Sequence, residues 1–206
     1  FATAMDSRDA EAAGHSRRVA EYTALIGREL GLAREEIGAI LNGALLHDVG
    51  KLAVPDSILR KPGPLTLAEW NIMRVHPEEG YRMLRHIAFL ASALPIIRHH
   101  HERFDGRGYP LGLKGAAIPL IARVFAVADA FESMTTDRPF RSACSIEEAR
   151  EEIARCAGSQ FDPRVVEAFL LVDVRELQRI GAGASSGRNV ATPSPAPPQP
   201  SAASAV

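Results

Sequence analysis

The five residues His47-Asp48-Val49-Gly50-Lys51 constrain this chain more than any other stretch. They follow directly on the apolar run 40–46 and put an imidazole, a carboxylate and an ammonium where a core segment would otherwise continue. Core packing has no use for that combination, because a charge taken out of water must be offset by an opposite charge or a metal ion. Any fold the chain adopts has to bring compensating groups to this point, and a metal site does so.

The surrounding segments carry helical periodicity. Val19, Tyr22, Ile26 and Leu30 recur at three- and four-residue steps, which predicts an amphipathic helix with His15 in its first turn and Gly31 as its C-terminal cap. Glu11 lies four residues before His15 and shares its face if that helix extends back through Gly14. A second helix is expected over 34–48, with Ile37, Ile40, Leu41, Ala44 and Leu45 inward and Gly50 as its stop. His47 and Asp48 then stand at a helix terminus. Thr66 and Glu69 form a capping box that opens a third helix, ending near Val75 or His76 because Pro77 disfavours helical geometry in the residue before it. A helix carrying Tyr81, Leu84 and Ile87 follows, then one over 89–104, kinked or restarted at Pro95, that delivers His99, His100 and His101. The helix from Leu120 is apolar nearly all round and should be central, with Asp129 interrupting it. Ser145 with Glu148, and Asp162 with Pro163, open two more. No segment has convincing strand periodicity, so the fold class is all-α.

Two stretches stand apart. Residues 105–119 are dense in Gly and Pro, and a long loop between two site elements is usually functional. Residues 181–206 hold almost no large apolar side chain and are expected to be a disordered tail, leaving one domain over 1–175. The formal net charge of -1 provides no global field for a nucleic-acid polymer or an anionic membrane, so an anionic substrate must be held by a few local cations. Cys144 and Cys156 have neither zinc-ligand nor redox spacing and read as ordinary thiols of a reducing compartment. With no membrane-spanning run and no leader, the expected location is cytoplasmic. The chain opens on Phe1, which suggests a piece of a longer protein with an N-terminal sensor or receiver domain.

Five of the seven histidines, His15, His47, His76, His100 and His101, fall at expected helix ends or beside carboxylates. His86 and His99 taken singly read as ordinary hydrogen-bonded histidines. Burying the five with Asp48 and Asp129 requires cations, and metal ions are the economical choice. Imidazole and carboxylate donors without thiolate favour iron or manganese, with zinc or nickel as alternatives. An adjacent His-Asp pair suits a two-metal centre, whose ions clamp the oxygens of an in-line phosphoryl displacement.

The motif set HDVGK at 47–51, His76-Pro77, HHERFDGRGYP at 100–110, Asp129 after an apolar helix and RPFR at 138–141 resembles the HD-GYP subgroup of the HD-domain phosphohydrolases. The resemblance runs from about His15 to Phe169. It implies an all-helical, metal-dependent phosphodiesterase that hydrolyses cyclic di-GMP to linear pGpG, GMP or both. Carried over by position, His47, Asp48, His76, His100, His101 and Asp129 match the metal ligands, with Asp48 bridging. His15 matches the histidine opening the first motif, and Glu11 the glutamate that accompanies a third metal in some members. Two or three divalent ions are therefore implied.

Lys51 resembles the lysine that contacts the substrate phosphate, and a fixed ammonium suits charge developing on non-bridging oxygens. Arg138 and Arg141 resemble the basic pair that holds a phosphate or guanine edge, for which a planar donor fork is apt. Asp105 and Tyr109 belong to the signature loop that lines the site or meets a partner such as a diguanylate cyclase. Glu132 and Phe140 depart from the pattern, where Asp and Tyr are frequent. Other expectations are a substrate of another nucleotide class, a non-catalytic dinucleotide-binding or cyclase-docking module, and a homodimer.

Overall fold

The computed structural model describes residues 14–137 and 141–182. Among these residues the helical periodicity becomes ten α-helices: α1 (His15–Glu29), α2 (Arg34–Leu46), α3 (Asp56–Leu59), α4 (Leu67–Met73), α5 (His76–Leu84), α6 (Leu94–His99), α7 (Leu120–Thr135), α8 (Ile146–Arg155), α9 (Pro163–Leu171) and α10 (Val174–Ala182). Short 3-10 turns lie at Val49–Ala53, Ala88–Leu90 and Gly115–Ala117. Extended pairing among the described residues includes one isolated bridge, Ala157 with Phe161. The chain is all-α.

The centre is α7, as its all-round apolar character predicts. Val124, Phe125, Val127, Ala128 and Phe131 are fully buried against Val19 and Ile26 of α1, Ile40 and Ala44 of α2, and Ile96 of α6. Ile153 of α8 and Phe169 of α9 close the other side. Each large side chain buried in this way stabilises by about 1.5–3 kcal/mol relative to exposure. Thr66 and Ser145 cap α4 and α8 with reciprocal Glu69 and Glu148 contacts, and the Asp162 carboxylate accepts from the Arg164 amide at the start of α9. Gly31, at φ 72°, stops α1 as expected.

Four sequence expectations are corrected. The second helix ends at Leu46 rather than Asp48, and Gly50 is not its stop. Gly50 sits within the 3-10 turn packed on α5, where a Cβ would overlap the carbonyl oxygen of His76, so the site requires close backbone approach. Leu41 and Leu45 are not inward, at 38% and 37% exposed, because α2 turns Ile40, Gly43 and Ala44 toward the core and Gly43 lies against Ile96. The helix expected over 89–104 runs only from Leu94 to His99, with Pro95 in its first turn. Beyond His101 the chain leaves helical geometry, because the buried Glu102 carboxylate accepts the loop amides of Leu111 (2.8 Å) and Leu113 (3.0 Å).

Finally, α10 extends through Gly181 and Ala182, so the expected tail does not begin at 181. Leu177 and Ile180 are buried, and the Tyr22 hydroxyl donates to the Leu177 carbonyl at 3.3 Å. Residues 183–206 lie outside the described residues. No helix among the described residues is long and apolar enough to cross a membrane.

Candidate metal centre

Helix ends deliver the histidines. The last carbonyls of a helix lack intrahelical partners, and three of these rings use them. His47 Nδ1 donates to the Ala44 carbonyl at 2.8 Å, and His76 Nδ1 to the Met73 carbonyl at the end of α4, also at 2.8 Å. His100 Nδ1 reaches the carbonyls of Ile96 and Ile97, each at 3.1 Å. A carbonyl oxygen only accepts, so Nδ1 carries the proton and Nε2 faces inward.

His15, at the start of α1, is oriented differently. Its Nδ1 lies 2.6 Å from Glu132 Oε2, and its Nε2 3.4 Å from Asp129 Oδ1. Glu132, 1% exposed, also accepts from Arg18 Nη2 (2.5 Å), Arg18 Nε (2.9 Å) and Thr136 Oγ1 (3.0 Å). Burial alone would raise the Glu132 pKa, but the His15 and Arg18 contacts outweigh it and hold the carboxyl below its ordinary range.

Asp48 stands between two groups. Its Oδ2 lies 3.0 Å from His47 Nε2 and 2.8 Å from Lys51 Nζ, while Oδ1 lies 3.3 Å from His76 Nε2 and 3.8 Å from His100 Nε2. Burial opposes its ionisation, but His47 and Lys51 prevail and hold it well below the usual carboxylate value. Asp48, His76, His100 and His101 form one cluster whose ligand atoms lie within 4.8 Å of one another; His15, His47 and Asp129 form a second. Burial pushes the His47 pKa down, yet the adjacent Asp48 charge and hydrogen bond bring it up to about 9. His100 is pushed well down by burial and neighbouring imidazoles, and His101 down to about 3, chiefly by burial and then by His76. A cavity of about 230 Å³ opens over both clusters, lined also by Lys51 and Ser133.

The donor chemistry fits divalent ions. With their Nδ1 atoms donating to carbonyls, His76 and His100 turn their Nε2 atoms toward each other at 3.2 Å, an arrangement that suits a shared cation. Both rings are buried.

The remaining expected site residues are placed as follows. Lys51 lines the cavity with its ammonium on Asp48. Tyr109 stacks on His101, ring centroids 4.7 Å apart and planes 25° apart. Asp105 braces the loop, its oxygens accepting from Arg103 (2.9 and 3.2 Å) and the Arg107 amide (3.0 Å). Arg141 donates to the carbonyl of Ser133 on the cavity wall. Glu11 and Arg138 lie outside the described residues. Sequence reasoning missed the supporting role of Glu132 and Arg18; the signal available was a carboxylate three residues past Asp129, on the same face of an apolar helix.

The HD domain family pattern matches residues 1–165. The chain is 43% identical over 172 residues to the cyclic di-GMP phosphodiesterase response regulator RpfG of Xanthomonas campestris, covering 82% of this chain and 46% of that protein. It is 40% identical over 172 residues to the 3'3'-cGAMP-specific phosphodiesterase 2 of Vibrio cholerae, covering 82% and 33%. The chain thus spans less than half the length of these relatives. Among solved structures, a cyclic GMP-AMP-specific phosphodiesterase of V. cholerae superposes with a TM-score of 0.62 at 23% identity, over 83% of this chain and 48% of that one, which shows a shared fold.

Proposed function

This chain belongs to the HD domain family, with the motif set of its HD-GYP subgroup, and we propose that it is a metal-dependent phosphodiesterase hydrolysing cyclic di-GMP to linear pGpG, GMP or both. The observation that carries the reading is the facing pair of His76 and His100 nitrogens beside a carboxylate, Asp48, that offers one oxygen to each cluster. Asp48, His76, His100 and His101 would hold one ion and His15, His47 and Asp129 the other, with Asp48 shared. The absence of thiolate favours iron or manganese. When bound, such ions supply Lewis acidity at a phosphoryl oxygen and lower the pKa of water.

The chain's own residues do the rest. Carbonyl and carboxylate partners fix the imidazoles so that no reorganisation is needed as charge develops. Lys51, on the cavity wall, neutralises charge on a non-bridging phosphate oxygen, and Arg141, tethered at Ser133, stands ready to hold substrate. The names of the relatives divide between cyclic di-GMP and 3'3'-cGAMP, and this favours the mixed dinucleotide as a second substrate. The free thiols Cys144 and Cys156 suit action in the cytoplasm.

The test joins metal analysis of the purified protein to turnover of cyclic di-GMP and 3'3'-cGAMP. Asp48→Ala is expected to lose both metal and turnover. Metal-loaded wild-type protein that binds the dinucleotide without cleaving it would overturn the enzyme reading in favour of a binding or cyclase-docking module.

A further inference from the structure

Arg74, at the C-terminal end of α4, lies two residues before the metal-ligand candidate His76. Its guanidinium carbon is 5.8 Å from the Trp70 ring centroid and 5.5 Å from that of Tyr109. Tyr109 in turn stacks on His101, so His101, Tyr109 and Arg74 form a chain of contacts from the cavity wall to Trp70, which is 42% exposed. Arg98 makes a useful contrast. It too lies over a ring, Tyr81 at 4.4 Å, but its donors are taken by Glu78 at 2.8 and 3.3 Å. Among the described residues no carboxylate or carbonyl accepts from the Arg74 side chain, which leaves its five N–H donors available beside two aromatic neighbours.

The cavity volume of about 230 Å³ falls below the roughly 300–1,000 Å³ of sites that enclose a drug-sized ligand. A phosphodiester and part of a sugar fit, and the bases of a cyclic dinucleotide must lie on the rim. We infer that Arg74, held between Trp70 and Tyr109, is the base-reading residue of this site and takes a guanine through its O6 and N7 edge. This rests on the cyclic-dinucleotide reading above. Arginine pairs bidentately with that edge, whereas adenine replaces the O6 acceptor with an amino donor that the guanidinium rejects. Trp70 and Tyr109 flank the guanidinium, and the planar donor fork that the guanine edge requires is what a flexible lysine ammonium lacks.

Trp70 is the only tryptophan in the chain, so its emission reports on this surface directly. The experiment titrates the metal-loaded protein with GMP and with AMP, which contain no diester to cleave, and follows Trp70 fluorescence. GMP is expected to bind about tenfold or more tightly than AMP. Arg74→Ala and Arg74→Lys should each bring the GMP affinity down to that of AMP, with metal content checked to show an intact site. Equal binding of GMP and AMP by the wild type would overturn the inference, as would an equal weakening of both in Arg74→Ala, which would mark a phosphate contact. Retention of the preference in Arg74→Lys would also overturn it, because charge rather than a planar fork would then carry recognition. If the preference behaves as expected but cyclic di-GMP is not hydrolysed, the proposed function falls and the guanine-reading assignment stands.

Discussion

The histidines of the candidate metal centre are supported in opposite ways. His47, His76 and His100 lean on backbone carbonyls three or four residues back, so each ring is oriented by the helix end that delivers it. His15 leans on Glu132, 117 residues away, and Glu132 is itself held by Arg18. The first kind of support is built into local backbone geometry and no side-chain substitution removes it. The second depends on a buried charge network, where a single substitution can act.

The contrast can be broken first on the carbonyl-backed side. His100→Ala removes a candidate ligand whose support survives, so the loss should exceed the roughly 10–100-fold typical of supporting residues. Activity is expected to fall by more than about 100-fold and metal content by one ion, measured by elemental analysis beside cyclic di-GMP turnover. Retention of full metal content would show that His100 is a packing residue.

On the other side, Glu132→Gln keeps the shape but removes the charge that orients His15. A loss of about 10–100-fold in metal affinity is expected. It should be confined to the His15, His47 and Asp129 ion, leaving the Asp48, His76, His100 and His101 ion in place in a stepwise metal titration. If both ions weaken equally, the two supports are not independent.

This division also explains what could be read from the sequence. Apolar periodicity and caps placed α1, α4, α7, α8 and α9, because those signals act within a few residues. The adjacency of His47 and Asp48, and of His100 and His101, marked two chemically expensive points on helix ends. Gly50 was misread because its requirement comes from the backbone of α5, not from its own helix. Leu41 and Leu45 were misplaced because helical spacing defines a stripe without saying which edge of it a neighbour covers. Glu132 carried no local mark of its partnership with His15 and Arg18, and the Arg103 and loop-amide partners of Asp105 could not be read from its place in the glycine-rich loop.

A smaller effect sharpens the comparison between the two clusters. His47 is held protonated up to about pH 9 by Asp48, so metal must displace its proton, whereas low-pKa His100 and His101 are already neutral. Between about pH 6.5 and 9 metal binding should release close to one proton, and affinity should rise by about tenfold per pH unit. Calorimetry in buffers of different ionisation heat measures the proton count directly. A count of zero would place the pair in a different protonation state.

The smallest effect concerns the stability of metal-free protein, and its sign differs on the two sides of one pH. His47 has a raised pKa in the folded state, so its contribution is complete below the unfolded value of about 6.5 and is lost as pH rises through about 9. His100 and His101 are depressed, so the unfolded chain binds more protons as pH falls below about 6.5, and the fold loses stability toward pH 3. The lowered Asp48 and Glu132 add to that acid loss at still lower pH, as their paired carboxylates become protonated. Metal-free protein should therefore be most stable near pH 6.5, with the unfolding free energy, and the melting temperature with it, declining in both directions, the free energy by no more than about 1.4 kcal/mol per pH unit for each group. A metal ion bound by these imidazoles would hold all three neutral in the folded state, so metal-loaded protein should gain most over metal-free protein on the alkaline side, where the His47 contribution to the metal-free fold disappears. A metal-free melting curve that climbs steadily from pH 6.5 to 9 would show that the His47–Asp48 pair does not stabilise the fold, and would leave carbonyl support as the whole account of how His47 is held.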